Sequence, residues 1–537
     1  MNKRLVLWAI TSALAGLLFG FDTVVISGAE SKIQQLWSLS GTMHGLAISA
    51  ALWGTVLGAI FGGIPTAKYG RKKVLIGNGL LFLMGAAGTA FAWDVWSFFI
   101  FRFIGGIGIG ISTIAAPLFI SEISPAQHRG KLTGMFQFNI VFGILLAFFS
   151  NFVILNLAPE EIAWRWMLGI QLVPAAIYTL LCFTLPESPR WLITQAHNRA
   201  EGKRIFAQVN PEMDEHGIEM LVQSVERSAQ EENQNKESAA KFFTRRLRYP
   251  ILFAFLIAAF NQLSGINIIL YFAPRLLGLA GMSDPVAASI ALGITNLIAT
   301  FVGLRLIDAL GRRTLLFIGC CGYIISLAVC TFAFLHYHDL KIVSAAQDTV
   351  AYATQVHQME QGLGYFTPED QTKAQVNFQQ ALDKLVTAGA DSAYAAQTHA
   401  LTQLSLNDLT TIAAHAQSIQ DAASANLGLV SKLILVCMIV FIAAHAVGSG
   451  TIIWVFISEI FPNEFRASGQ ALGSATHWIF AAGLTLLFPI ALAHFDPGYI
   501  FAFFCLMMVL QLLWCRLMMP ETKGRSLEEI SRELAAD

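Results

Sequence analysis

Twelve apolar stretches, each about 20 to 30 residues long, take up most of this chain. A run of that kind has one comfortable environment, the roughly 30 Å hydrocarbon layer of a bilayer, which about 20 helical residues cross. No water is available there to satisfy backbone N–H and C=O groups, so each segment must hydrogen-bond within itself, and that selects helices. Six stretches lie near 5–29, 44–66, 74–92, 96–118, 131–155 and 166–185, and six near 250–279, 285–307, 314–336, 430–457, 467–493 and 498–518. Charged residues are 13% of the chain, about half the roughly 25% of soluble domains. The expectation is an all-α membrane protein. The first run follows Lys3 and Arg4 as a signal peptide would, but it is too long for a signal core of about 7–15 residues and reads as an uncleaved first span.

The two groups of six are related. Phe119 to Arg129 reads FISEISPAQHR, and Phe456 to Arg466, 337 residues later, reads FISEIFPNEFR. Gly70-Arg71-Lys72 answers Gly311-Arg312-Arg313, and Leu185-Pro186-Glu187 answers Met519-Pro520-Glu521. From Gly70 to Phe119 is 49 residues but from Gly311 to Phe456 is 145, so the second half carries about 96 extra residues. The chain divides into a first six-helix bundle (1–185), a polar linker (186–249), three helices of a second bundle (250–336), the insert (337–429), three further helices (430–518) and a tail (519–537). Duplicated apolar halves of this kind are the plan of a transporter.

Charge sets the expected orientation. Lys3, Arg4, Lys68, Arg71, Lys72, Lys73, Arg129, Lys131, Arg312, Arg313 and Arg466 all fall on one side, together with the run Lys241, Arg245, Arg246, Arg248. By the positive-inside rule that side is the cytoplasm and holds both termini. The insert has three Lys, no Arg and nine acids and falls outside. It carries no catalytic cluster, and His357, His399 and His415 are too scattered for a metal site; it reads as a helical cap or spacer, with an accessory binding module as the alternative. The seven cysteines all lie in apolar runs, without zinc-ligand spacing or the loop positions of a disulfide framework.

Ionisable residues inside apolar runs point to function, since each costs about 2.5–3.5 kcal/mol at mid-membrane on insertion scales unless it pairs or lines a path. Asp22 lies about 7 residues before the outer end of span 1 and Arg102 about 6 residues after that of span 4, so both sit roughly 9–11 Å below the surface and are candidate partners. Exclusion from water favours a protonated carboxyl and a nearby guanidinium favours the carboxylate. A change in that balance would let Asp22 take up a proton on one side and release it on the other; the alternative is a static helix-to-helix ion pair. Glu122 and Glu459 can pair with Arg71 and Arg312, or with Arg129 and Arg466, latching the halves together at the cytoplasmic face when the outer side is open; the alternative is plain interfacial anchoring. Gln137, Gln262, Asn267 and Asn296 are amides within spans, each able to donate and accept, as an uncharged polyhydroxyl ligand requires. Trp454 and Trp478 could stack on a sugar's apolar face, whereas a lone intramembrane amide is as often helix–helix glue. Gly105, Gly106, Gly108 and Gly110 lie inside a span with no strand before them, so close helix packing explains them better than a dinucleotide loop.

Together these residues resemble the sugar porter family of the major facilitator superfamily, its bacterial sugar–proton symporters in particular. The matching motifs are GFDTVVISG (Gly20 to Gly28), YGRKK (Tyr69 to Lys73), RFIGGIGIG (Arg102 to Gly110), PLFISEISPAQHRGKL (Pro117 to Leu132), LPESPRWL (Leu185 to Leu192), NQLSGIN (Asn261 to Asn267), DALGRRT (Asp308 to Thr314) and PETKG (Pro520 to Gly524). The resemblance covers both halves and leaves out the insert. It implies the major facilitator fold, twelve transmembrane helices in two six-helix bundles, each bundle made of two inverted three-helix repeats, with short helices in the cytoplasmic linker. It implies sugar ligation by Gln137, Gln262, Asn267, Asn296 and Trp454, with Tyr271 as an outer gate, and it adds Glu187 and Arg190 to the cytoplasmic latch. The family's proton-coupled members share Asp22 and Arg102, where animal facilitators typically have Asn at the aspartate position.

The chain departs from the family pattern at several positions. Asn261 replaces a glutamine, His477 stands before Trp478 where Asn or Gln is usual, Thr451-Ile452-Ile453 replaces a proline-containing run, and Ala67 replaces Asp or Asn. The implied activity is transport of one hexose or pentose, such as glucose or xylose, by alternating access, as a sugar–proton symporter of the bacterial inner membrane. The protein is then no enzyme; it works as a monomer in the lipid bilayer, with a proton as coupling ion and without cofactor, metal or nucleic acid. Two alternatives stand: a uniporter of the same fold, and a non-transporting sugar sensor, against which the 17 residues after Pro520 argue because sensors carry long signalling tails.

Overall fold

The computed structural model describes residues 3–125, 127–234, 242–362, 368–390, 392–406, 408–462, 465–525, 529–530 and 534. Among the described residues twelve helices are long and apolar enough to cross a membrane: Lys3–Gly28, Gly41–Phe61, Arg71–Ala90, Val95–Ile123, Arg129–Leu157, Glu160–Cys182, Arg245–Tyr271, Pro285–Leu310, Arg312–His336, Gly428–Ile460, Arg466–His494 and Pro497–Leu517. They are called spans 1 to 12 below. Lys241, one of the cations used to orient the chain, lies outside the described residues.

Local chemistry sets where the spans begin and bend. Span 4 starts at a reciprocal cap: Asp94 Oδ1 accepts from the Ser97 N–H at 2.7 Å, and the Asp94 N–H donates to Ser97 Oγ at 3.1 Å. It runs five residues past the expected end, so the FISEI stretch forms its last turns. Span 7, expected as one rod over 250–279, is broken. Its helix Arg248–Leu263 stops, Gly265 takes a left-handed φ of +87°, and the chain resumes as Ile266–Tyr271 and then Ala273–Leu279. Only a residue without Cβ occupies that conformation freely, and Gly265 also lies against the Phe504 ring. Span 10 breaks likewise at Gly448, so the bend does not depend on the proline this chain lacks there.

The duplication is visible in atomic detail at the face carrying the basic loops. Gly70 (φ +91°) and Gly311 (φ +90°) each begin a span, and in each the next backbone N–H groups meet a carboxylate from the end of the same half. Glu187 accepts from Arg71 N at 2.8 Å, and Glu521 accepts from Arg312 N at 2.9 Å. A Cβ on Gly311 would lie 2.6 Å from Glu521 Oε2. Gly311→Ala is therefore expected to cost about 1–3 kcal/mol, from strain and displacement of the cap. Gly77→Ala, where a Cβ would meet nothing within 4 Å, should instead stabilise span 3 by about 0.5–1 kcal/mol. Thermal unfolding in detergent should move in opposite directions for the two variants.

At the opposite face, the one that bears the insert, the halves share a single core. Phe21, Ile48 and Phe148 of the first half cluster with Phe272, Tyr323 and Phe488 of the second and with Val343 and Ile412 of the insert. Towards the basic face the cores are separate. Phe82, Ile120 and Phe206 belong to one, and Phe253, Phe456 and Trp514 to the other. The molecule is thus sealed at the insert face and divided at the basic face. Leu80, Ile177, Ile298, Ile325 and Leu506 are each more than half exposed around the outside, a belt suited to lipid. The linker folds as helices Pro189–Thr194, Arg199–Val209 and Glu215–Gln234, and the insert as His338–Glu360, Pro368–Gly389, Ala395–Thr402 and Leu409–Asn426.

Candidate substrate path and its charged pairs

The equal depth inferred for Asp22 and Arg102 corresponds to direct contact. Arg102 Nη1 donates to Asp22 Oδ1 at 2.8 Å and Nη2 to the Asp22 backbone carbonyl at 3.3 Å, both residues being buried. Spans 1 and 4 of one half supply the pair. Asp22 Oδ2 and Arg102 Nε find no protein partner, so its hydrogen-bonding capacity is only partly used. Two charges withdrawn from water gain little net stability even when paired, but parting them while both stay charged would leave each uncompensated, at a cost of about 3–5 kcal/mol. Tyr271, fully buried in the broken segment of span 7, brings the second half within electrostatic reach of both charges.

The amides sort into two kinds. Asn139 donates to the Met135 carbonyl, Asn151 to the Val25 carbonyl and Gln511 to Ser449, so these hold helices. Gln262 is different. Its Nε2 meets Asn261 Oδ1 at 3.2 Å and His477 Nε2 at 3.1 Å, while its Oε1 is buried with no protein partner. A buried amide oxygen without a partner is costly. His477 lies 5.3 Å from the Trp454 ring and 4.8 Å from that of Trp478, and Trp478 touches Phe19 of the first half at 5.6 Å. The structure thus joins Gln262, His477, Trp454 and Trp478 in one cluster against span 1. Gln137 and Asn267 are half-buried on span 5 and on the broken part of span 7, and Asn296 is buried on span 8; among the described residues no hydrogen bond links these three directly to the cluster.

At the basic face the expected carboxylate partners form, but inside each half. Arg71 makes a bidentate pair with Glu122 (2.8 and 2.7 Å), and Arg312 makes one with Glu459 (3.1 and 2.7 Å). Ser188 completes the first carboxylate and Thr522 the second. Arg129 instead donates to the Ser121 carbonyl, and Arg466 Nε and Nη2 are buried without partners. Arg190 sits close enough to Arg129 and Glu122 to feel both charges. The inter-half latch is therefore not what these pairs make here. With the halves parted at this face, each carboxylate is satisfied within its own bundle.

Sequence reasoning missed the polar lock at the other face. Glu30, completely buried just after span 1, accepts from Arg275 Nε at 2.9 Å, and its second oxygen meets His44 Nε2 at 2.9 Å. Glu30 and His44 belong to the first half and Arg275 to the second, so this group ties the bundles together. Burial alone would raise the Glu30 carboxyl, but Arg275 and the His44 hydrogen bond outweigh it and hold it at about 2. A lowered carboxyl contributes fully above its ordinary 4.5 and is lost only as pH falls towards about 2, so the lock is charged throughout the physiological range. The only sequence signal was an acid and an Arg near the ends of apolar runs. Among the described residues no cluster of His, Cys, Asp or Glu could hold a metal, and all seven cysteines are free.

The family described as "Sugar (and other) transporter" matches residues 8–353 and 410–534. This chain belongs to that family. The transporter is 28% identical over 98% of its length to the arabinose-proton symporter of Bacillus subtilis, of which 94% is covered. It is 26% identical over 97% of its length to the D-xylose-proton symporter of Escherichia coli, again covering 94%. Its structure matches the inward-open conformation of the xylose transporter XylE from E. coli with a TM-score of 0.71 and 25% identity, over 98% of this chain and 99% of that one. It is an integral membrane transporter of the major facilitator fold, not an enzyme. The family match omits 354–409, the middle of the insert.

Proposed function

We propose that this transporter carries a hexose or pentose together with a proton, by alternating access, across a bacterial cytoplasmic membrane. The observation that carries the reading is the buried Asp22–Arg102 pair, with Tyr271 of the opposite half within electrostatic reach of it. Protonating Asp22 would release Arg102 and change what the second half meets at Tyr271, which ties a proton to the rocking of the bundles. The cluster of Gln262, His477, Trp454 and Trp478, with Gln137, Asn267 and Asn296, offers amides and aromatic faces for a neutral sugar. The relatives named for arabinose-proton and xylose-proton symport favour that substrate class. The basic face is assigned to the cytoplasm, with both termini, and the insert to the outside. The sealed face is then the outer one, so the conformation is inward-facing, and each bundle is its own closed unit at the inner side. The protein acts as a monomer in lipid, with Arg71, Glu122, Glu187, Arg190, Arg312 and Glu459 shaping the inner face.

Adding D-xylose or D-glucose to proteoliposomes without any gradient should make the external medium alkaline as sugar enters. Sugar entry with no proton movement would leave a uniporter of the same fold, and binding without flux would leave a sensor.

A further inference from the structure

Between the insert and the sealed face lies a partly enclosed cleft of about 570 Å³, within the roughly 300–1,000 Å³ typical of small-molecule sites. Its floor is Arg275 with Ser31 and Gln34, both of which Arg275 holds, above the buried Glu30 of the lock. One wall is the first insert helix, which presents Gln347, Asp348 and Tyr352. The facing wall is the second insert helix, with Asn377, Gln380 and Lys384. The last three residues lie in the stretch that the family match omits.

The chemistry of these walls is specific. Arg275 is neutralised by Glu30, and Lys341 at the rim by Asp496 at 3.2 Å. That leaves Asp348 and Lys384, one charge of each sign, so the cleft favours a neutral guest. Asp348 is open to water yet surrounded by protein, and desolvation lifts its carboxyl above the usual range despite Arg275 and Lys384. Five amides line the space, and Gln347 Oε1 is buried with no protein partner. Amides that donate and accept, a carboxylate that accepts, and the Tyr352 ring match a polyhydroxylated ligand.

We propose that this cleft is a second binding site, on the outer side of the sealed gate, for a neutral monosaccharide. The ligand class rests on the sugar reading above. The insert hangs from spans 9 and 10 of the second half and meets the first half through Gln355, which donates to the Gln35 carbonyl and to Ser38. When the halves part on the outside, the floor of the cleft divides between Glu30 and Arg275, and a sugar held there stands directly above the opening path. The site concentrates substrate at the gate, so its effect falls on capture at low sugar rather than on turnover.

Equilibrium dialysis of labelled D-xylose and D-glucose against full-length protein in nanodiscs tests this. Wild type should bind two equivalents, and a Gln262→Ala/Asn267→Ala variant should keep one. An Asn377→Leu/Gln380→Leu variant should also keep one; its uptake should fall several-fold at low sugar and match wild type at saturation. One equivalent in wild type, or two in the cleft variant with unchanged low-sugar uptake, overturns the proposal. If the cleft variant loses both equivalents, Lys384→Trp is read instead, since its exposed side chain can fill the space without touching the core, and two equivalents there overturn it equally. A wild type that neither binds nor moves either sugar would fail the functional reading itself, a result distinct from one equivalent with normal transport.

Discussion

Replacing Asp22 with Asn is expected to abolish uphill accumulation of sugar while leaving exchange of sugar across the membrane intact. A one-unit pH gradient and 100 mV of potential are together worth about 3.7 kcal/mol per proton, which bounds accumulation by a one-to-one symporter at about 500-fold. In Asp22→Asn the bound falls to equality of inner and outer sugar. The amide keeps the size and one hydrogen-bond acceptor of the carboxylate, so Arg102 can still donate to it as it now does to Oδ1 at 2.8 Å. What it loses is the site that a proton can occupy. The measurement is a pair of assays on the same proteoliposomes: accumulation under an imposed gradient, and counterflow of labelled sugar with no gradient. Loss of the first with survival of the second is the expected result. Gradient-driven accumulation that persists in the variant would remove Asp22 from the coupling step. Loss of both would make the pair a structural tie, and the binding stoichiometry of the same preparation would then report whether the central site is still assembled.

The pairing of Asp22 with Arg102 was legible because helix rise alone converts residue counts into depth, and two unlike charges at one depth in a bilayer attract. The repeat was legible because a duplicated basic-face motif keeps its residue types: Glu122 with Ser188, and Glu459 with Thr522, reproduce the same carboxylate environment. The lock of Glu30, His44 and Arg275 was hidden for a physical reason. Its members are 14 and 245 residues apart in sequence, and Arg275 lies on the helix Ala273–Leu279, set off from the rest of span 7 by breaks at Gly265 and Phe272. A hydropathy pattern averages through such a break. The partner choice of Glu122 was equally hidden, since Arg71 and Arg129 are both at the basic face, and only the folded geometry selects Arg71. Residues joined by helix periodicity can be read from the chain, whereas those joined by the meeting of two halves depend on which conformation the halves adopt.

The same distinction governs the central site, where a Gln262→Ala/Asn267→Ala double variant should lose most sugar uptake. A neutral hydrogen bond contributes about 0.5–1.5 kcal/mol net, so removing two amides that each face a hydroxyl should cost about 1–3 kcal/mol, a drop of about 5- to 150-fold in kcat/KM. Asn139→Ala is the matched control: its amide is spent on the Met135 carbonyl of its own helix, so its removal should leave uptake near wild type. Initial rates over a range of D-xylose concentrations separate the two variants. Gln262 is also the hydrogen-bond partner of His477, whose ring packs against both tryptophans, so its loss should loosen the aromatic cluster as well as the amide contact. Tryptophan fluorescence gives a readout of that cluster independent of transport. If uptake stays at wild-type levels in the double variant, the unpaired Gln262 oxygen is not a sugar contact, and the ligand must be held by the first half around Gln137, on the other side of the contact between Phe19 and Trp478.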